Sequence, residues 1–89
     1  MAYTYEEVYA VWQKCDGRCV YGHRRRVLLK DYGITWAIEH AMPLSRGGVD
    51  DLRNRRVACV KHNGQKGDKT RQEFERWLDA NPLEKACGL

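Results

Sequence analysis

One stretch of this 89-residue sequence limits what the chain can fold into more than any other. It spans residues 36–69 and reads WAIEHAMPLSRGGVDDLRNRRVACVKHNGQKGDK. An acidic residue stands next to a histidine, Glu39 and His40, and a loop with one proline and two adjacent glycines follows them. After the loop come Asn54 and a Cys-x-x-His-Asn cluster of Cys59, His62 and Asn63. Donors of these types at these spacings indicate two different metal sites in one stretch.

The chain length predicts one domain, residues 1–89, with its core at about 19–69. So short a chain buries only about 60 to 65% of its unfolded surface, which makes its core alone marginally stable. A structural metal, disulfides or a partner subunit is therefore expected to stabilise it further. The sequence has four cysteines, and its amino terminus has no apolar signal segment. We therefore expect a cytoplasmic protein with reduced thiols that bind metal. No apolar run approaches the roughly 18 residues that cross a membrane.

The distribution of charge predicts a polyphosphate partner. Sixteen Lys and Arg against twelve Asp and Glu give a net charge of +4. The acidic residues concentrate towards the two ends, whereas the basic residues concentrate in the middle. The candidate nucleic-acid contacts are Arg46, Arg53, Lys66 and Lys69. Lys66 could equally be an ordinary solvated lysine.

Two capping boxes predict the outer helices. Thr4 with Glu7 begins a helix over residues 5–15, and Thr70 with Glu73 begins another that ends at about Asn81. Alternating side chains over 34–40 predict a strand that delivers Glu39 and His40 at its end. A loop follows, then a short return strand at 56–59 and a short helix from Val60 to Gly67. The tail after residue 82 is expected to be loose, and Cys87 in it has no near partner in sequence.

The side chains of the central stretch suit the hydrolysis of a phosphodiester. That reaction needs an activated water, neutralised phosphoryl oxygens and a stabilised leaving oxygen. His40 can take a proton from water at neutral pH. Glu39 and the amide oxygen of Asn63 are hard ligands suited to Mg2+ or Mn2+. The role expected for Asn54 is to hydrogen-bond the loop backbone so that His40 points at the water.

These residues resemble the HNH endonuclease family, small nucleases with a ββα-metal (His-Me finger) fold. The resemblance covers residues 19–69, including the PLSRGG loop and the KGDK segment. It implies that Glu39 binds the catalytic metal, His40 is the general base, Asn54 holds the loop and Asn63 completes the metal site. Asn54 and Asn63 follow His40 by 14 and 23 residues, spacings similar to those of family members with Asn in third place. Glu39 stands where Asp is commoner, which lengthens the ligand arm by one methylene.

The same resemblance implies a structural zinc, held in many family members by two Cys-x-x-Cys knuckles. Cys59 and His62 form an acceptable second knuckle. The first knuckle is incomplete, because Gly22 stands where a second cysteine is expected, three residues after Cys19. Cys15 or His23 could supply the fourth ligand, giving Cys3His or Cys2His2. Cys15 is preferred, although it also suits a buried thiol. A domain without zinc, held by its two capped helices, is the remaining possibility.

The sequence therefore predicts an α+β fold, with a ββα-metal core between amino- and carboxy-terminal helices. The resemblance implies a DNA endonuclease that acts on double-stranded DNA, uses Mg2+ or Mn2+ and leaves 5′-phosphate and 3′-hydroxyl ends. A zinc-stapled nucleic-acid-binding module without catalysis is the alternative. Free-standing domains of this family occur near packaging genes in phage genomes, in restriction systems and in mobile elements. The resemblance does not choose among these roles, and a directing partner protein is not identified.

Overall fold

The computed structural model describes residues 3–22 and 26–87, and within them three α-helices and a two-stranded sheet. The predicted α+β class is confirmed. The elements are α1 (Tyr5–Lys14), β1 (Trp36–His40), β2 (Arg55–Cys59), α2 (Val60–Lys66) and α3 (Arg71–Ala80). Short 3₁₀ turns lie between them at Leu29–Asp31, Leu44–Arg46 and Leu52–Asn54, and another follows α3 at Pro82–Glu84. No helix in the described residues is long and apolar enough to cross a bilayer.

The two outer helices begin where their capping boxes predict. The Thr4 side chain accepts a hydrogen bond from the Glu7 backbone, and the Glu7 side chain accepts one from the Thr4 backbone. Thr70 and Glu73 repeat this exchange at the start of α3. Each box satisfies amide groups that the first helical turn leaves without partners.

The sheet is one antiparallel hairpin in which Trp36 pairs with Cys59 and His40 pairs with Arg55. The predicted strand over 34–40 is too long by two residues. Ile34 lies in the preceding turn with 71% of its surface exposed, because backbone bonds from residues 34 and 35 to Asp31 form that turn.

Both faces of the hairpin are covered. On one face, Trp36 and Val57 pack with Val8 and Val11 of α1. A second cluster joins the hairpin to α3 and to the segment after α1; its members are Cys19, Tyr21, Ala58, Cys59, Phe74 and Leu78. The polar side of β1 expected from alternation is therefore not solvated. This is why Glu39, on that side, is a buried residue.

Candidate active site and metal centre

Glu39 and His40 occupy the last two positions of β1 and lie in different environments. Glu39 is 3% exposed, and neither of its carboxylate oxygens has a hydrogen-bond partner among the described residues. The Nζ of Lys66 lies 3.1 Å from Oε2, an ion pair without hydrogen-bond geometry. His40 keeps 17% of its side chain exposed, and its Nε2 lies 2.8 Å from Oδ1 of Asp50. A buried carboxylate with unfilled acceptor positions is thus next to an accessible imidazole.

Burial raises the pKa of Glu39, while the ammonium group of Lys66 lowers it. The phenol of Tyr21 is also buried, and burial, then the charge of Glu39 and contact with its carboxylate, raise the pKa of Tyr21. Cations stabilise a buried carboxylate, so the Glu39 environment favours a positive charge beside it. A carboxylate oxygen is also the type of ligand that Mg2+ or Mn2+ requires.

Asn54 clamps the loop that follows β1. The side-chain Oδ1 accepts a hydrogen bond from the Met42 amide at 2.8 Å. Its Nδ2 donates to the carbonyl oxygens of Met42 and Val49, each at 2.8 Å. The two ends of the loop are thereby tied to one buried side chain, directly after His40. This is the backbone contact that the sequence predicts for Asn54.

Replacing Asn54 with alanine is expected to lower the free energy of unfolding by about 3 kcal/mol, at roughly 1 kcal/mol for each of three hydrogen bonds. Urea denaturation followed by circular dichroism measures this loss. Asn81→Ala is the matched control, because the exposed Asn81 side chain makes one hydrogen bond, to the Trp77 carbonyl. The control should lose less than about 1 kcal/mol. Equal losses in the two variants would contradict the clamp.

Asn63 lies on α2, which packs against both strands of the hairpin. Asn63 is half-buried, and its side-chain amide has no hydrogen-bond partner in the described part of the chain. Cys59 directly precedes α2, and its Sγ caps the helix by accepting from the His62 amide at 3.4 Å. One short helix therefore carries Asn63, Lys66 and the metal-ligand candidate His62.

Four side chains form a group that could hold a metal ion. Their ligand atoms all lie within 4.8 Å of one another, and the four are Cys19, Cys59, His62 and Cys87. The Nδ1 of His62 lies 3.4, 3.3 and 3.7 Å from the sulfur atoms of Cys19, Cys59 and Cys87. Tetrahedral zinc with ordinary bond lengths places nitrogen and sulfur ligands about 3.6 Å apart. The group thus has the size and composition of a Cys3His zinc site.

The other ring nitrogen of His62 fixes which nitrogen faces the sulfurs. Nε2 lies 2.7 Å from the carbonyl oxygen of Glu84, to which it donates. Metal-binding histidines usually donate one ring N–H to a carbonyl or carboxylate in this way. The hydrogen bond selects the tautomer whose other ring nitrogen is free to bind the metal. Lys61 extends the docking by donating to the Ala86 carbonyl at 2.8 Å. The tail is thus attached to α2 beside the candidate metal centre.

The three cysteines of this group differ in the direction of their pKa shifts. A hydrogen bond from Cys59 lowers the pKa of Cys19 to about 4. The same contact, together with burial, raises the pKa of Cys59, and burial raises that of Cys87 to about 11. A cation at the centre would favour the thiolate form of all three, as zinc does in its thiolate sites.

The sequence favoured Cys15 as the fourth zinc ligand, but the structure places Cys15 away from the other candidate ligands. Cys15 packs with the cluster on the α1 face of the hairpin, where its Sγ accepts a hydrogen bond from the Val57 amide at 3.4 Å. It is not part of the four-residue group, and Cys87 supplies the third sulfur instead. The alternative ligand, His23, lies outside the described residues.

Position 22 explains how Cys87 enters the group. A Cβ built on Gly22 would lie 2.1 Å from the Sγ of Cys87, close to a covalent carbon–sulfur bond length. The sulfur of Cys87 therefore lies about where a cysteine at position 22 would place its own. The signal in the sequence was indirect: one knuckle lacked a cysteine, and one cysteine had no assigned partner.

The predicted nucleic-acid contacts have different surroundings. Arg53 is exposed and pairs with Asp51, and Arg46 pairs with Glu73 at the surface. Lys69 is half-buried. Lys66 differs from both roles weighed for it, because it is 3% exposed and donates to the His40 carbonyl at 2.7 Å. It is an internal residue of the candidate active site, since Glu39 holds its ammonium group inside.

No protein-family profile, curated protein or solved structure matches the chain. The class of protein therefore follows from fold and site alone. The chain is a small α+β protein with a two-stranded antiparallel sheet and a Cys3His group that could hold a metal ion such as zinc.

Proposed function

We propose that this protein is a metal-dependent DNA endonuclease of the HNH type. β1, β2 and α2 would form its ββα-metal core, with Zn2+ as a structural ion at the Cys3His group. The observation that carries the proposal is the pairing at the end of β1. A buried carboxylate with unfilled acceptor positions, Glu39, is adjacent to an accessible imidazole, His40, on a strand against which α2 packs.

Each residue has a separate task in the proposed reaction. His40 takes a proton from a water molecule, whose oxygen attacks phosphorus as the bond to the 3′ oxygen breaks. Glu39 and Asn63 would hold a divalent cation, which when bound neutralises the phosphoryl oxygens and stabilises the leaving oxygen. The leaving 3′ oxygen takes a proton from solvent. The products are a 5′-phosphate and a 3′-hydroxyl.

Two further residues maintain this geometry. Asn54 fixes the loop after β1 through three hydrogen bonds. Lys66 donates to the His40 carbonyl and so ties α2 to the end of β1. The zinc group would hold the other end of the same helix, because Cys59 caps α2 and His62 lies in its first turn.

One observation favours a second function, a zinc-stapled nucleic-acid-binding module without catalysis. The Lys66 ammonium already provides a positive charge 3.1 Å from Glu39. A protein that never bound a catalytic cation would need such a partner for its buried carboxylate. Supercoiled plasmid incubated with Mg2+, Mn2+ or EDTA separates the two functions. Nicking that requires the divalent metal supports the nuclease, and its absence in both metals supports the binding module.

Binding of double-stranded DNA is expected to weaken steeply with salt, because contacts to phosphate release counterions. Measured by fluorescence anisotropy between about 50 and 200 mM salt, the slope of log K against log salt should be steeper than about −3, at roughly −0.9 per phosphate contacted. Arg53→Ala should make that slope shallower by about 0.9. Lys85→Ala, which removes a tail lysine paired with Asp79, is the matched control and should leave it unchanged. A flat salt dependence would contradict the proposed DNA contact.

A further inference from the structure

Asp50 makes the closest side-chain contact to the proposed general base. It lies in the loop between β1 and β2, ten residues after His40. Its Oδ1 is 2.8 Å from Nε2 of His40, and the exposed fractions of the Asp50 and His40 side chains are 30% and 17%. Nothing in the sequence pattern singled out this carboxylate, because its neighbour Asp51 offers the same chemistry one residue later.

Asp50 is held in place by groups from two other parts of the chain. Arg55, which pairs with His40 across the hairpin, donates from Nε to Oδ1 at 3.0 Å and from Nη2 to the Asp50 carbonyl at 2.8 Å. The hydroxyl of Tyr3 donates to the same Oδ1 at 2.9 Å. The guanidinium group of Arg55 lies over the Tyr3 ring, 4.7 Å from its centroid. The carboxylate therefore has little freedom to turn away from His40.

The charges around this contact determine where the proton lies. Hydrogen bonds from His40, Arg55 and Tyr3 lower the pKa of Asp50 to about 2, so the group is a carboxylate at neutral pH. The other charged groups nearby are Glu7, 3.6 Å from Arg55, and Lys66, which pairs with Glu39 and donates to the His40 carbonyl. A carboxylate has no proton to share, so a 2.8 Å contact with Nε2 requires the proton on the ring nitrogen.

We propose that Asp50 is the positioning residue of His40: it accepts the Nε2–H and thereby leaves Nδ1 as the basic nitrogen for the water. This inference rests on the proposed nuclease function and names a residue of the same site. A carboxylate that holds one ring nitrogen fixes both the tautomer and the ring orientation of a histidine base. Within the described residues, Nδ1 of His40 has no hydrogen-bond partner, so it is free to take the proton of a water molecule.

The Nε2 proton itself is the first readout, and it does not depend on activity. In proton NMR spectra of ¹⁵N-histidine protein, the wild type should give a downfield, slowly exchanging Nε2–H signal that correlates with the His40 ring. Asp50→Ala should lose this signal to exchange with water, whereas Asp51→Ala should retain it. Asp51 is the matched control, since it is a neighbouring carboxylate that pairs with Arg53. Persistence of the signal in Asp50→Ala would overturn the proposal.

Nicking kinetics supply the second readout. Asp50→Ala should reduce kcat by at least about 10-fold, part of the ~10²–10⁴-fold contribution of a general base, with less than about a twofold change in KM. Asp50→Glu should recover part of the lost rate. In the His40→Ala background, Asp50→Ala should cause no further loss, because the two residues act as a unit. An equal loss in that background would assign Asp50 a merely structural role through Arg55 and overturn the proposal.

The two readouts also separate this inference from the nuclease function. Wild-type protein that shows the Nε2–H signal but no metal-dependent nicking would reject the nuclease and, with it, the role of Asp50 in catalysis. Metal-dependent nicking that requires His40 but not Asp50 would reject only the positioning role.

Discussion

Replacing His40 with alanine is expected to reduce metal-dependent nicking of supercoiled plasmid by between about 10² and 10⁴-fold, the usual contribution of a general base. No other imidazole in the described residues can replace it, because His62 faces three sulfur atoms and the Glu84 carbonyl. The measurement is the initial rate of conversion to open circle with Mg2+ or Mn2+, with EDTA as the blank. Equal rates for His40→Ala and wild type would rule out the proposed mechanism.

Two measurements on His40→Ala separate lost chemistry from lost structure. The variant should keep the zinc content and nearly the thermal midpoint of the wild type, because the His40 ring contributes to neither hydrophobic cluster.

Glu39→Gln should also reduce nicking, and the Mg2+ concentration needed for half-maximal rate should rise, since the amide has lost the ligand charge. Glu75→Gln is its matched control. Glu75 is exposed on α3 and pairs only at the surface with Arg71, so the rate should stay within about twofold of wild type.

Replacing Cys87 with alanine is expected to weaken zinc binding by more than about 100-fold, since loss of a supporting residue alone costs 10- to 100-fold. Stability should fall with it. Zinc binding supplies about 10–16 kcal/mol to small zinc domains, and this chain is short enough to depend on such a contribution. Elemental analysis of the purified protein and the absorption spectrum of Co2+ bound in place of zinc measure the site. Urea denaturation measures the stability.

A ligand exchange tests the position as well as the chemistry. Gly22→Cys combined with Cys87→Ala should restore one zinc per chain and a Cys3His cobalt spectrum, because the new sulfur starts from a Cβ site beside the old one. Gly22→Ala alone should weaken zinc binding, since its Cβ would meet the Sγ of Cys87 at 2.1 Å. If Cys87→Ala does not fold, the double variant still decides the question by recovering or failing to recover the metal.

Cys15→Ala is the control for removing a cysteine. Its sulfur accepts a hydrogen bond from the Val57 amide and packs on the opposite side of the hairpin from the candidate metal centre. It should keep full zinc content, with a stability loss of about 1 kcal/mol for the weak hydrogen bond and the small cavity. Loss of zinc from Cys15→Ala with retention in Cys87→Ala would reverse the ligand assignment.

Most element boundaries could be predicted because they depend on neighbours in sequence. The two capping boxes each involve residues three apart, so Thr4 and Thr70 identify the starts of α1 and α3 without any tertiary information. The loop after β1 follows from Pro43 and the adjacent glycines, and the Cys59 and His62 pair from its own spacing. These are local properties, and the fold preserves them.

The residues that were missed depend on contacts across the chain. Cys87 meets Cys19 across 68 positions, and the sequence indicates only that one ligand is missing near Gly22. Asp50 reaches His40 because Arg55 and Tyr3 hold it there, from β2 and from the segment before α1. Lys66 lies inside because Glu39 is buried, which alternation along β1 did not predict.

The sequence by itself thus determined the order of the helices and strands and the starts of the two capped helices, and it placed Glu39 and His40 together at a strand end. Only the tertiary structure decided which distant groups complete each site: Cys87 for the candidate metal centre, Asp50 for His40 and Lys66 for Glu39. The physical reason is the sequence separation over which each kind of interaction acts. Capping and turn preferences act over a few residues, whereas a metal ligand or an ion-pair partner is selected by the packing that brings remote segments together.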